Sequence, residues 1–92
     1  MLNVRYSAKF KKDFKTIVKR GYNVSVFEEV VLLLRMETPL PEKYKDHALT
    51  GNYIGHRSCH LTPDWLLIYK VEMGILTLSL TRTGTHSDLY KK

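Results

Sequence analysis

The chain predicts an α+β fold, a mostly antiparallel β-sheet packed on an N-terminal helical hairpin in the order β-α-α-β-β-β. Three observations predict it. Apolar residues recur at helical spacing through the first part of the sequence and at strand spacing through the last. Between the two regimes lies TPLPEKYKDHALTGN, with two prolines, a glycine and charges at no fixed period. A run of helices followed by a run of strands is the α+β pattern. At 92 residues the chain is one domain, 1–92, without room for a second core.

Leu2–Tyr6 has the composition of a short strand, and Ser7 stands where a hydroxyl caps the helix that follows. In that helix Phe10, Phe14, Ile17 and Val18 fall on one face, Lys12, Lys15 and Lys19 on the opposite one, and Gly21 is placed to end it. A second helix starts near Asn23 or Ser25 and runs to about Met36, with Val24, Phe27, Val31 and Leu34 at helical spacing and the VVLLL run widening the stripe. The two helices form an antiparallel hairpin about a short turn. The proline-rich stretch is then a loop of unusual length, long enough to suspect function. Three strands follow, Tyr53–Leu61, Trp65–Val71 and Ile75–Arg82, joined by turns at LTPDW and VEMGI. WLLIYKV is apolar on both pleat faces, as in a central strand. ILTLSLTR alternates, sending Leu76, Leu78 and Leu80 to one face and Thr77, Ser79 and Thr81 to the other, so one sheet face is covered and the other is free to work.

An apolar content of 43% with 26% charged residues is ordinary for a folded globular chain. No run is long and apolar enough to span a bilayer, the basic N-terminus lacks the apolar block of a secretory signal, and the lone Cys59 suits a reducing compartment. A cytoplasmic protein with no membrane partner is expected. The net charge of +6 is uneven: residues 1–20 hold seven basic residues against Asp13 alone, and the remainder sums to zero. A localised patch of this kind points to a polyanion or an acidic protein.

There are four histidines. His47 lies in the long loop beside Asp46. His56 and His60 share a pleat face of the strand after it, and His86 follows the last strand; for His56 a hydrogen-bonding role is expected. His60 and His86 stand at strand ends, where a rigid sheet mounts reactive groups. Metal binding is not expected, since Cys59 and His60 point to opposite faces and no C-x-x-C pair exists. A strained serine elbow and a glycine-rich phosphate loop are also missing. What remains is a set of imidazoles, the carboxylate of Asp64, the guanidinium of Arg82, the phenol of Tyr90 and a basic helix. That set suits RNA cleavage by the substrate's own 2′-hydroxyl. One group takes the 2′-OH proton, another protonates the leaving 5′-oxygen, and a cation stabilises the charge on the phosphorane.

YKDHALTGNYIGHRSCHLTPDWLLIYK and RTGTHSDLY resemble the YafQ branch of the RelE/ParE toxin superfamily, through D-H-x-L-x-G, R-x-x-H-x-x-P-D-W-L-L-x-Y and R-x-G-T-H-x-x-L-Y. The likeness extends over essentially the whole chain and implies a RelE-like fold. It also implies the toxin of a type II toxin–antitoxin pair, an endoribonuclease cleaving mRNA on the ribosome without cofactor or metal. A small acidic antitoxin would hold it inactive, and the pair would be able to bind operator DNA. The matching catalytic positions are His47, His60, Asp64 and His86, with Arg82 and Tyr90 beside them and His86 as proton donor. Which of His47, His60 and Asp64 is the base stays open. Lys12, Lys15, Lys19, Arg57 and Trp65 are expected to touch RNA. Two other readings fit the same fold: a ParE-like toxin that inhibits a DNA topoisomerase without catalysis, and a basic nucleic-acid-binding module. Neither needs the histidine set.

Overall fold

In a computed structural model, described here over residues 1–90, the elements are β1 (Asn3–Tyr6), α1 (Ala8–Lys19), α2 (Val24–Arg35), β2 (His47–Ala48), β3 (Arg57–Thr62), β4 (Trp65–Glu72), β5 (Thr77–Gly84) and α3 (His86–Leu89). The strands form one sheet in the order β1-β5-β4-β3-β2. β1 runs parallel to β5, and every other pair is antiparallel. The α+β class therefore stands, with two refinements. The long loop holds its own edge strand, β2, between single turns of 3-10 helix at Glu42–Tyr44 and Gly51–Tyr53. The stretch from Tyr53 to His56 is turn rather than strand, and β3 begins at Arg57.

Local chemistry explains the helices. The Ser7 hydroxyl accepts from Phe10 N at 2.9 Å and donates to Thr81 O at 2.7 Å, so one side chain caps α1 and ties it to β5. Asn23 caps α2 by accepting from Ser25 N. Gly21, with φ of 82°, turns the chain between them in the left-handed region open to glycine.

The hairpin buries Phe10, Ile17, Phe27, Val30, Val31 and Leu34 against Cys59, Leu61, Trp65, Leu67, Tyr69, Leu78 and Leu80. Val18, expected on this face, is 49% exposed, because the apolar stripe of α1 narrows to Phe10, Phe14 and Ile17. Leu76 also departs from the expected alternation. It closes a 3-10 turn, Met73–Ile75, in a left-handed conformation with φ of 47°, and is 57% exposed.

Directly opposed residues of antiparallel strands share a face. Cys59, Leu67 and Thr83 thus form one row toward the helices, while Ser58, Ile68 and Arg82, then His60, Leu66 and Gly84, form rows on the reverse. A bulge at Thr81 makes this possible. Tyr69 pairs with Leu80 and Ile68 with Arg82, so one residue drops out of the alternation and Arg82 turns to the reverse face. That face carries a second small core of Leu66, Ile68 and Leu89, flanked by Leu49 and Tyr53.

Trp65 has no exposed surface, and its Nε1 donates to Thr83 Oγ1 at 2.7 Å, which in turn donates to Leu66 O. The expectation that Trp65 contacts RNA is corrected here: it is a core residue that pins the start of β4 to the end of β5. Trp65→Phe should cost about 1–3 kcal/mol, since it leaves a hydroxyl short of a partner and a small void. Urea unfolding measures this, and a loss below roughly 0.5 kcal/mol, the scale of a surface change, would count against the pinning role.

Candidate functional site

The row His60–Leu66–Gly84 crosses three strands on the reverse face, and His86 follows Gly84 by two residues. The imidazoles of His60 and His86 consequently meet, with ring centroids 6.0 Å apart and planes at 58°. His86 and Tyr90 sit four residues apart on the turn of α3, at 5.6 Å. Tyr90 meets Tyr53 edge-on at 6.4 Å, and Tyr53 meets His56 at 5.9 Å. The rings run as a continuous row from His60 to His56. His86 and Tyr90 are exposed and His60 is half-buried, so the row is open to a ligand.

α3 is built by its sequence. Thr85 Oγ1 accepts from Asp88 N, and the Asp88 carboxylate accepts from Thr85 N at 3.0 Å, a complete capping box. Gly84, with φ of 152°, lies so close to Asp88 that a Cβ would fall 3.0 Å from its side chain. Arg20, at the end of α1, donates through Nη1 and Nη2 to the two Asp88 oxygens at 2.7 and 3.2 Å. These contacts, Arg20 first, hold the Asp88 carboxyl well below the usual carboxylate range.

Arg82 is held by Asp13: Nε to Oδ2 at 2.7 Å and Nη2 to Oδ1 at 3.1 Å, with Thr83 N also donating to Oδ2. Its pKa is raised, chiefly by the Asp13 hydrogen bond. Half of its fork is committed to orientation, and Nη1 lies outside these bonds.

His47 pairs in register with Ser58, on the face that bears His60, and is exposed. Such a diagonal neighbour in a ladder lies roughly 7–8 Å away. Its Nδ1 lies 2.9 Å from Lys45 O; a carbonyl only accepts, so in this contact Nδ1 is the donor. Asp64 occupies the exposed β3–β4 turn, accepting from Thr62 Oγ1 at 2.9 Å and Tyr22 OH at 3.0 Å. Those bonds, Thr62 first, lower its pKa and make it a weaker base.

Arg57 does not join the site. It opposes Tyr69 on the helix-facing side, and its Nη2 pairs at 3.1 Å with Asp46, whose carboxylate also accepts from the Tyr69 hydroxyl. It is exposed at the sheet edge but not on the face of the histidine pair, because on a strand one residue's offset from Ser58 reverses the face. His56 and His60 stand at the two ends of the row of rings on the reverse face. His56 precedes β3 and packs on Tyr53, with its Nδ1 buried and without a hydrogen-bond partner among the described residues. Among the described residues no group of three or more His, Cys, Asp or Glu side chains comes together to hold a metal. Burial pushes the Cys59 thiol up to about 12, so it is an inert core group.

Two open clefts flank the histidine pair. One, of about 530 Å³, is lined by His60 with Glu29, Lys43, Tyr44, Lys45 and Thr62. The other, of about 610 Å³, lies beside Tyr90 and is lined by Lys9, Thr50, Asn52, Tyr53 and Leu89. Lys12, Lys15 and Lys19 are exposed along α1. Sequence reasoning missed Tyr53, Lys9, Arg20 and Asp88. For Asp88 a signal existed, the threonine three residues earlier that makes a capping box; for Tyr53 and Lys9 there was none, because only the fold brings them to Tyr90.

The family model for the YafQ toxin, a bacterial toxin of type II toxin–antitoxin systems, matches residues 2–91. The chain is 40% identical over 89 residues to the mRNA interferase toxin YafQ of Escherichia coli K12, covering 96% of this chain and 95% of that one. A crystal structure of a metal-bound toxin from Helicobacter pylori superposes with a TM-score of 0.92 at 46% identity, over 97% of this chain and 99% of the other. The E. coli DinJ–YafQ complex superposes with a TM-score of 0.87 at 38% identity, over 98% and 99% of the two chains.

Proposed function

Because this chain belongs to the YafQ family of bacterial toxins of type II toxin–antitoxin systems, we propose that it is an endoribonuclease that cleaves ribosome-bound mRNA through the substrate's own 2′-oxygen. The observation that supports this most is the pair of imidazoles on an open sheet face, 6.0 Å apart, with Tyr90 beside His86 and Arg82 in the adjoining row of the same face. A scissile phosphate seated across that pair has a proton acceptor on one side and a donor on the other. His60 takes the 2′-OH proton, the 2′-oxygen attacks phosphorus, and His86 protonates the 5′-oxygen as it leaves. The other base candidates fit less well: Asp64 is held as a weaker base, and His47 lies one ladder step further off. Arg82, pre-aligned by Asp13, stabilises the phosphorane through its uncommitted donor. Tyr90 offers its ring to a neighbouring base.

The exposed lysines of α1 suit ribosomal RNA, which supplies a dense array of phosphates and presents the message. The same basic surface suits an acidic antitoxin; the E. coli YafQ toxin is itself held in a complex with an antitoxin. No step requires a metal-bound water, since the nucleophile is already part of the substrate; the metal of the Helicobacter toxin belongs to that protein.

The product ends test the reading. Ribosome-bound message incubated with the purified toxin should yield upstream fragments ending in a 2′,3′-cyclic phosphate. They should form equally when magnesium is held fixed and transition metals are stripped. A free 3′-hydroxyl, or a rate that collapses on stripping and returns with added metal, would replace this mechanism with a metal-dependent one.

A further inference from the structure

We infer that Arg20 is a positioning residue for His86, acting through Asp88. The inference rests on the reading of His86 as the proton donor. α3 is four residues long, a single turn that cannot stand on its own propensity, because the first turn of a helix is the costly one. Its proton donor nevertheless has to be placed to within a fraction of an ångström. Three things hold the turn. Leu89 is buried against Leu66 and Ile68, and the Thr85–Asp88 capping box closes its start. The third is Arg20, which reaches from the end of α1 to grip both Asp88 oxygens across 68 positions of sequence.

The two-point grip matters. A capping carboxylate held only by its own turn can swing with that turn, whereas a fork bonded at two nitrogens also fixes its plane. α1 is itself fastened to β5 by Asp13, through Arg82 and Thr83 N, and by Ser7 through Thr81 O. Arg20 therefore completes a closed frame in which α1, β5 and α3 each hold the next. It also neutralises the Asp88 carboxylate two residues from His86, where a bare negative charge would repel a phosphate.

Single-turnover cleavage of ribosome-bound message by the full chain tests the inference. Arg20→Gln should lower the rate constant roughly ten-fold or more while leaving the ribosome concentration for half-saturation unchanged. Arg20→Lys should recover part of the loss, since it restores the charge without the fork. Asp88→Asn should resemble Arg20→Gln, and the double variant should be no slower than the slower single. In ¹⁵N relaxation, Thr85–Tyr90 of Arg20→Gln should lose order while α1 and the sheet keep theirs. A normal rate constant for Arg20→Gln overturns the inference. So does a rise in half-saturation alone with α3 still ordered, because Arg20 would then be an RNA contact. The two levels of failure separate: a His86→Gln protein that cleaves normally removes the ribonuclease reading itself, whereas an inactive His86→Gln beside a normal Arg20→Gln removes only the role of Arg20.

Discussion

Replacing His86 by glutamine is expected to slow cleavage of ribosome-bound message by ~10²–10⁴-fold, the usual worth of a positioned general acid. Glutamine keeps a donor at about the same reach and suits a helix, so the substitution removes the transferable proton and little else. His86 is exposed on the first position of α3, and among the described residues its ring takes part in no hydrogen bond. Stability should therefore change by no more than about 0.5 kcal/mol, as for other surface substitutions away from special features. Melting temperature and cleavage rate, measured on the same preparation, separate the two effects. His60→Gln should also be strongly impaired, at the step that removes the 2′-OH proton. A folded His86→Gln protein that retains a rate within a few-fold of the parent would assign the acid elsewhere on the site.

The second large effect lies in the substrate. A message carrying one 2′-deoxynucleotide 5′ of the scissile bond should not be cut at that bond, because the change deletes the nucleophile while leaving charge and shape almost intact. The carboxylate and the thiol nearest in sequence to His60 are not placed to attack instead. Asp64 is turned toward Thr62 and Tyr22, and the Cys59 thiol is buried on the far side of the sheet. The deoxy message should still occupy the ribosome-bound toxin and compete with the all-ribose message, since phosphates and bases supply the binding. Cleavage of the deoxy bond at a normal rate would mean that water or a protein group attacks, and the roles given to His60 and His86 would fall together.

Much of this site was legible in the sequence, and the misses have physical causes. Helix caps, helix spans and the apolar β4 follow from local rules, and they came out close to the observed elements. His60 and His86 were picked out because strand ends are rigid mounts, and the register then placed them in one row. Arg57 and Trp65 both lie off the face of the histidine pair, for one shared reason. Motif spacing says that residues belong to a site's neighbourhood, while the pleat decides which side of the sheet each faces, and β3 and β4 alternate sides at every step. The Thr81 bulge was invisible, since a one-residue slip changes no composition, yet it decides that Arg82 lies with His60 rather than with the core. Val18 and Leu76 show the opposite error, apolar residues that periodicity assigns inward and the fold leaves out. The pairs Asp13–Arg82 and Arg20–Asp88 join positions 69 and 68 apart, beyond the reach of any local pattern.

The position of β5 also sets a clock. It lies between β1 and β4 and pairs with both, so the oldest strand of a nascent chain has no partner until the youngest strand has been made. Until Thr77–Gly84 inserts, Ser7 and Asp13 lack the β5 groups that fasten α1, and the core lacks Leu78 and Leu80. Closure of this kind depends on the longest loops in the chain and comes late in folding. A half-made chain can hold helices and a β3–β4 hairpin, but it cannot hold the two histidines side by side. With His60 and His86 in the roles proposed above, a chain of this connectivity is inactive while it is being made and becomes competent to cut only after β5 has inserted.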